Sequence, residues 1–172
     1  MAAPSNDALS LRNGVIIPQL GFGVYNSPVD LCLQSCATAL EAGYRHIDTG
    51  QYYGNEKEVG LAIQRSNIPR REVFLTTKIL ETGSYEEDYA KCLTSVKALD
   101  PKDNFVDCFL IHSPNVGKGK RAQLWAVLER LYKEGRAKSI GVSNFGIQHI
   151  EELKQSATVW PPHVNQIEVS SK

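Results

Sequence analysis

Successive segments of the sequence end in side chains that can do chemistry. Asp48 closes HID, Lys78 falls in FLTTKI, His112 in FLIHS, Ser143 and Asn144 in IGVSN, and Gln166 in VNQIE, while Tyr53 follows Asp48 in the loop QYYGNE. A phenol ordinarily titrates near ~10, too high for efficient proton transfer at neutral pH. A neighbouring ammonium favours the phenolate, and a carboxylate beyond the lysine keeps that ammonium charged and oriented. Asp48, Tyr53 and Lys78 together therefore suit a general acid. His112 can then donate a hydrogen bond to a carbonyl oxygen on which negative charge develops during attack by a hydride. No spacing of ligands suggests a metal cluster, which counts against a metal-dependent hydrolase.

Each residue also has a plainer explanation. Asp48 could be a turn carboxylate, Lys78 a solvated strand-end lysine, His112 a hydrogen-bonded core histidine, and Asn144 the cap of the helix that follows it. His46 and His149 are assigned to structure. What the plainer explanations leave over is the coincidence of position: ionisable and amide groups at the ends of several consecutive strands.

Those strands come from an alternation of apolar patterns. ALSLRNGVIIPQL sets Asn13 and Gly14 between two short apolar runs, which predicts a hairpin with a two-residue turn. After it, strand and helix patterns alternate. SPVDLCLQSCATALEAG predicts a helix capped by Ser27, with Pro28 in its first position, Leu33, Cys36, Ala37 and Leu40 on one face, and Gly43 at its end. Asn55 and Glu58 read as a capping box, as do Ser84 and Glu87. Tyr89, Cys92, Leu93 and Val96 give the next helix its buried face. Leu124, Leu128, Leu131 and Tyr132 line another, closed by Gly135. A helix carrying Ile150 and Leu153 precedes HVNQIEV, and His163 to Val169 reads as a buried strand. The pattern amounts to a hairpin followed by six strand and five helix units.

Such units imply parallel strands with helices outside, as an open doubly wound sheet or a closed barrel. GFGVYN is a weak match to the glycine-rich dinucleotide signature. In either architecture, reactions occur at the C-terminal ends of the strands.

Composition narrows the partners. The 172 residues include 42% hydrophobic and 22% charged, with 19 basic side chains against 19 acidic ones. That balance gives no electrostatic footprint for nucleic acid or an acidic membrane. No apolar run approaches the ~20 residues of a membrane span, and MAAPSNDALSLRNG lacks the pattern of a leader. The expectation is a cytoplasmic chain whose residues 1–172 form one domain. Cys32, Cys36, Cys92 and Cys108 match no paired metal or redox spacing and read as small buried thiols.

HIDTGQYYGNEKEVG, FLTTK, FLIHSP, GVSNF and VNQIE, in this order and at these separations, resemble the aldo-keto reductase family. The resemblance implies a (β/α)8 TIM-type barrel closed below by the hairpin, and NADPH-dependent reduction of aldehydes and ketones, so the partner is a small carbonyl substrate. It implies that Tyr53 is the general acid, assisted by Asp48, Lys78 and His112. Ser143, Asn144 and Gln166 match the positions that hold the nicotinamide carboxamide, and Gly23, Val24 and Tyr25 would line the mouth beside Asp48. Tyr25, and Ser113 after the histidine, stand where many members have tryptophan, which changes the substrate wall and leaves the proton chemistry alone.

The resemblance also predicts two more strands than the sequence supplies, since such barrels take about 250 residues. The aromatic residue that stacks on the nicotinamide and the charged grip on the adenosine phosphate have no counterpart, so NADPH binding is expected to be weakened. Losing three hydrogen bonds to charged groups would forfeit roughly 4 to 9 kcal/mol. Open barrel edges would favour self-association. The competing function is a catalytically silent, shortened barrel that acts only by pairing with another chain.

Overall fold

The computed structural model describes residues 7–169, and the expectations drawn from residues 1–6 and 170–172 lie outside them. The hairpin forms from β1 (Ala8–Ser10) and β2 (Ile16–Pro18), antiparallel, with Ser10 opposite Ile16. Its turn is longer than the predicted two residues. Pairing stops at Ser10 and Ile16, and residues 11–15 are held by Leu11 N–H to Val15 O (2.8 Å) and Gly14 N–H to Leu11 O (2.9 Å). Asn13 is drawn outward to donate to the Lys138 carbonyl at 3.0 Å, which fastens the hairpin beneath the sheet.

Six strands then pair in chain order and in parallel: β3 (Phe22–Gly23), β4 (His46–Asp48), β5 (Phe74–Ile79), β6 (Cys108–Ile111), β7 (Ile140–Ser143) and β8 (Val164–Gln166). The helices α1 (Val29–Glu41), α2 (Glu56–Arg65), α3 (Tyr85–Leu99), α4 (Lys118–Lys133) and α5 (Ile147–Lys154) each connect one strand to the next. The curled sheet with helices on its outer face matches six consecutive strands of a (β/α)8 barrel.

Strand alternation decides which residues meet which layer. Leu75, Ile79, Phe109, Ile111, Ile140 and Val142 join the large core between sheet and helices. Phe74, Cys108 and Leu110 take the opposite phase and pack inside the curl against Val15, Ile17 and Val164, so the hairpin floors the interior. Asp48, Lys78, His112, Ser143 and Gln166 share that inward phase at the other end of their strands.

Local signals succeeded where the side chain had no better use. Ser84 and Glu87 form the predicted capping box of α3, and Gly43 and Gly135 follow α1 and α4 with φ of 101° and 71°, values open to glycine. At α1 the start moves by one residue. Pro28 is the cap position, Ser27 makes no cap bond, and the Pro28 carbonyl receives Leu31 N–H and Cys32 N–H. The buried face of α1 is accordingly Cys32, Cys36, Ala39 and Leu40, with Leu33 half-buried.

The expected buried strand at residues 163–169 is shorter and more exposed. Only Val164–Gln166 pair, Ile167 is 50% exposed and Val169 90%. As an outer strand β8 has β7 on one side alone, so the alternation that buries inner strands has no second neighbour to work against. All four cysteines are buried and free. Burial pushes the Cys36 and Cys108 thiols up to about 12, which leaves them unreactive. No helix among the described residues is long and apolar enough to cross a membrane.

Candidate active site

Lys78 organises the site. Its side chain is fully buried at the end of β5, a position that isolated ammonium groups avoid, and it is tolerated because three acceptors surround it. Nζ donates to Asp48 Oδ1 from the neighbouring strand, to the Thr49 carbonyl at 2.8 Å, and to Tyr53 Oη at 3.1 Å. Nζ also lies 4.8 Å from the Tyr53 ring centre. The second oxygen of Asp48 accepts from Gln166 Nε2 at 2.9 Å, a bond that spans the mouth from β4 to β8.

His112 comes from β6 and presents its ring edge-on to Tyr53, centroids 5.4 Å apart. Burial, with help from the Lys78 charge, lowers its pKa below the usual histidine range and keeps the ring neutral. Nδ1 is buried without a partner. An orphaned N–H is less tolerable than an orphaned lone pair, so the ring proton belongs on Nε2.

A cavity of about 870 Å³ runs from the mouth towards the hairpin floor. Gly23, Tyr25, Asp48, Tyr53, His112, Ser143, Asn144 and Gln166 all line it, so residues predicted from distant segments share one wall. Val24 does not: its side chain is buried in the core between sheet and helices. Tyr25 is 59% exposed and packs on Tyr53 at 5.0 Å. Ser113 also lines the cavity, together with Tyr52 and Leu80, which sequence reasoning passed over. Tyr52 adjoins Tyr53 and carried no signal of its own; Leu80 looked like the end of an apolar run.

Asn144 is no helix cap. It adopts φ 60°, which asparagine tolerates, and Gly146 occupies the cap position of α5. Asn144 Oδ1 accepts from Glu168 N–H at 3.1 Å and Nδ2 donates to Ser143 Oγ at 3.4 Å. Ser143 Oγ donates to the Gln166 carbonyl at 3.0 Å. A primary carboxamide needs a donor for its oxygen and an acceptor for its NH2 group. The second Nδ2 proton of Asn144 and Gln166 Oε1 supply one of each, so these residues fit the carboxamide end of a nicotinamide. Among the described residues, no lysine or arginine lines the cavity to meet a phosphate.

The second capping box fails for an instructive reason. Asn55 holds the cap position of α2, yet its side chain makes no cap bond. Fully buried, its Oδ1 accepts from Thr49 Oγ1 at 2.8 Å and its Nδ2 donates to the Val24 carbonyl at 3.0 Å. A missing cap costs a helix about 0.5–2 kcal/mol. Leaving the buried Thr49 hydroxyl unpaired would cost about 1–3 kcal/mol, and the Val24 carbonyl, which also accepts from Ser27 N–H at 3.1 Å, gains a second donor from the same amide, so the loops win it. Glu56 beside it accepts from Thr77 Oγ1 and from Ser95 Oγ at 2.9 Å, and burial raises its pKa. His46 lies inside the curl, its Nε2 at 2.9 Å from Thr76 Oγ1, and His149 Nδ1 accepts from Gly146 N–H at 3.2 Å, so both have structural partners.

Residues 25–171 match the model of the aldo/keto reductase family. Glyoxal reductase of Bacillus subtilis is 39% identical over 170 residues, covering 98% of this chain and 60% of its own length. The 9,11-endoperoxide prostaglandin H2 reductase of Trypanosoma cruzi is 41% identical over 165 residues, 95% of this chain and 56% of that protein. Among solved structures, an aldo/keto reductase from Brucella melitensis superposes with a TM-score of 0.90 at 42% identity, over 96% of this chain and 64% of that one. A Bombyx mori aldo-keto reductase in complex with NADP gives 0.86 at 30% identity, over 97% and 59%. The chain thus spans less than two thirds of the length of these relatives.

Proposed function

The chain belongs to the aldo/keto reductase family, and from that premise we propose that it reduces a small aldehyde or ketone to the alcohol with NADPH, Tyr53 acting as general acid. One observation carries the reading. Tyr53 Oη accepts a hydrogen bond from the buried Lys78 ammonium, so the phenolic proton is left to be donated elsewhere. The carbonyl oxygen of a substrate in the cavity is the acceptor that the chemistry needs.

A reduced nicotinamide, when bound, supplies a hydride to the carbonyl carbon. Ser143, Asn144 and Gln166 orient its carboxamide, and Gln166 also fixes Asp48. His112 donates from Nε2 to the substrate oxygen as charge gathers there. Tyr53 passes its proton to that oxygen, and the phenolate left behind faces Lys78, which Asp48 and the Thr49 carbonyl hold in place. Tyr25, packed on the Tyr53 ring, and Leu80 line the cavity that the substrate would enter.

The test is oxidation of NADPH in the presence of an aromatic aldehyde. Tyr53→Phe should lower kcat by roughly 100-fold or more, the usual worth of a positioned general acid, while thermal stability stays close to that of the parent. Equal turnover by both proteins would remove Tyr53 from the mechanism.

A second reading, action through pairing with another chain, draws support from the two outer strands. β3 and β8 each have one sheet neighbour, and Leu9, Leu20 and Ile167 nearby are about half exposed. Sedimentation across a concentration series would separate the readings: the monomer mass of 19.1 kDa at all concentrations removes the second.

A further inference from the structure

Tyr53 has to meet Lys78 although the two belong to different segments, and one side chain behind Tyr53 governs that meeting. We propose that Asn55 is a positioning residue that sets the Tyr53–Lys78 contact by clipping the turn beneath Tyr53 and tying it to the loop after β3. The inference rests on the proposed reductase chemistry for its kinetic consequence and on geometry alone for its structural one.

Residues 49–55 form a loop whose neck is closed by Thr49 Oγ1 donating to Asn55 Oδ1 at 2.8 Å. Tyr53 sits within that loop, its own N–H bonded to the Gly50 carbonyl at 2.9 Å. The carbonyl of the same Thr49 accepts from Lys78 at 2.8 Å. Both ends of the Tyr53–Lys78 contact are therefore referred to Thr49, and Asn55 is what holds Thr49 to the tyrosine turn. The other end of the amide acts on the opposite wall. Asn55 Nδ2 donates to the Val24 carbonyl while Val24 N–H donates to the Asp48 carbonyl at 3.0 Å. Val24 is fixed on both sides, and Tyr25, the next residue, is thereby set against the Tyr53 ring.

A residue serving only α2 would have used its side chain on the helix N–H groups. Asn55 gives that bond up, and its two partners are the two loops that carry Tyr53 and Tyr25. Ser143, Asn144 and Gln166 lie on β7, the loop after it and β8, and none of their side chains bonds Asn55, Thr49 or Val24, so the carboxamide contacts should depend on the clip less than the Tyr53–Lys78 contact does.

Three variants test this: Asn55→Ala, Asn55→Asp, which keeps the acceptor for Thr49 and loses the donor to Val24, and Thr49→Val. With NADPH and an aromatic aldehyde, Asn55→Ala should lose roughly 10–100-fold in kcat, the cost of misplacing a reacting group, with the NADPH dissociation constant changed less than about twofold. Asn55→Asp should fall between it and the parent. Nitrogen-15 NMR supplies a readout free of turnover. The Lys78 ammonium, with its three acceptors, should give a slowly exchanging signal in the parent and lose it in Asn55→Ala and Thr49→Val. Parent protein without turnover would defeat the reductase reading and leave the Lys78 signal to decide the role of Asn55. Variants that melt earlier but keep kcat and the Lys78 signal would show Asn55 to be a fold-stabilising residue and nothing more. If Asn55→Ala does not fold, Asn55→Asp and Thr49→Val decide by the same two readouts.

Discussion

β5 and β8 belong to one parallel sheet and carry site residues at the same end, yet they live in different surroundings. Every residue of β5 is buried, whereas β8 has three residues, none of them fully buried, and β7 as its single neighbour. The acid–base group hangs from the first kind of strand, with Lys78 enclosed by acceptors. The amides suited to a carboxamide gather at the second. The residues proposed for proton chemistry thus sit on a strand buried throughout and those proposed for cofactor contacts at a partly exposed one, with the Gln166–Asp48 bond as the link between them.

The sharpest way to break that contrast is to strike its centre. Lys78→Met leaves Asp48 facing a thioether, and losing one partner of a largely buried pair costs about 3–5 kcal/mol. Urea unfolding should show this, with turnover abolished. A smaller loss should follow from crowding the support behind the middle strands. A Cβ at Gly60 would lie 2.2 Å from the Ala98 carbonyl oxygen, so Gly60→Ala must push α2 off α3. Overpacking of this kind costs about 1–3 kcal/mol, readable in the same unfolding curves, and an unchanged midpoint would mean that the helices part freely.

Acid probes both regions at once. Burial lowers the pKa of His46, His112 and His163 below their ordinary 6.5. Below that value the unfolded chain binds more protons than the folded one, so the stability they contribute is complete above about 6.5 and is lost as pH falls through the folded values. Urea midpoints one unit above and one unit below should differ in that direction. His46→Gln should flatten the slope more than His163→Gln, because His46 is buried beside β5 and His163 half-exposed before β8. The smallest effect belongs to the margin: Gln166→Ala should cost about 0.5–1.5 kcal/mol, and it should weaken NADPH binding more than it lowers kcat. A loss equal to that of Lys78→Met would erase the distinction between the two strands.

Much of this arrangement was legible in the sequence because inward phase and strand end are local properties. Asp48, Lys78, His112 and Ser143 could be placed at the ends of their strand patterns, and Gln166 within its own, without any contact being known. Ser84 and Glu87 could be read as a cap because both are exposed and have only the helix to bond. Asn55 deceived for the opposite reason: the carbonyl of Val24 lies 31 residues away in the chain, and no local pattern announces that a buried oxygen there competes for the amide. β8 deceived because apolar alternation states which face of a strand wants burial and does not say whether a neighbour covers it. The five-residue hairpin turn depended on a distant carbonyl too, that of Lys138.

The central claim is that a hydride reaches a carbonyl carbon beside Tyr53. Incubating the protein with an aromatic aldehyde and NADPH deuterated at the transferable position, then weighing the product by mass spectrometry, tests it most directly. The account predicts an alcohol carrying one deuterium on the former carbonyl carbon, formed roughly 100-fold or more faster by the parent than by Tyr53→Phe. Alcohol without deuterium, or deuterated alcohol formed equally by both proteins, would contradict it.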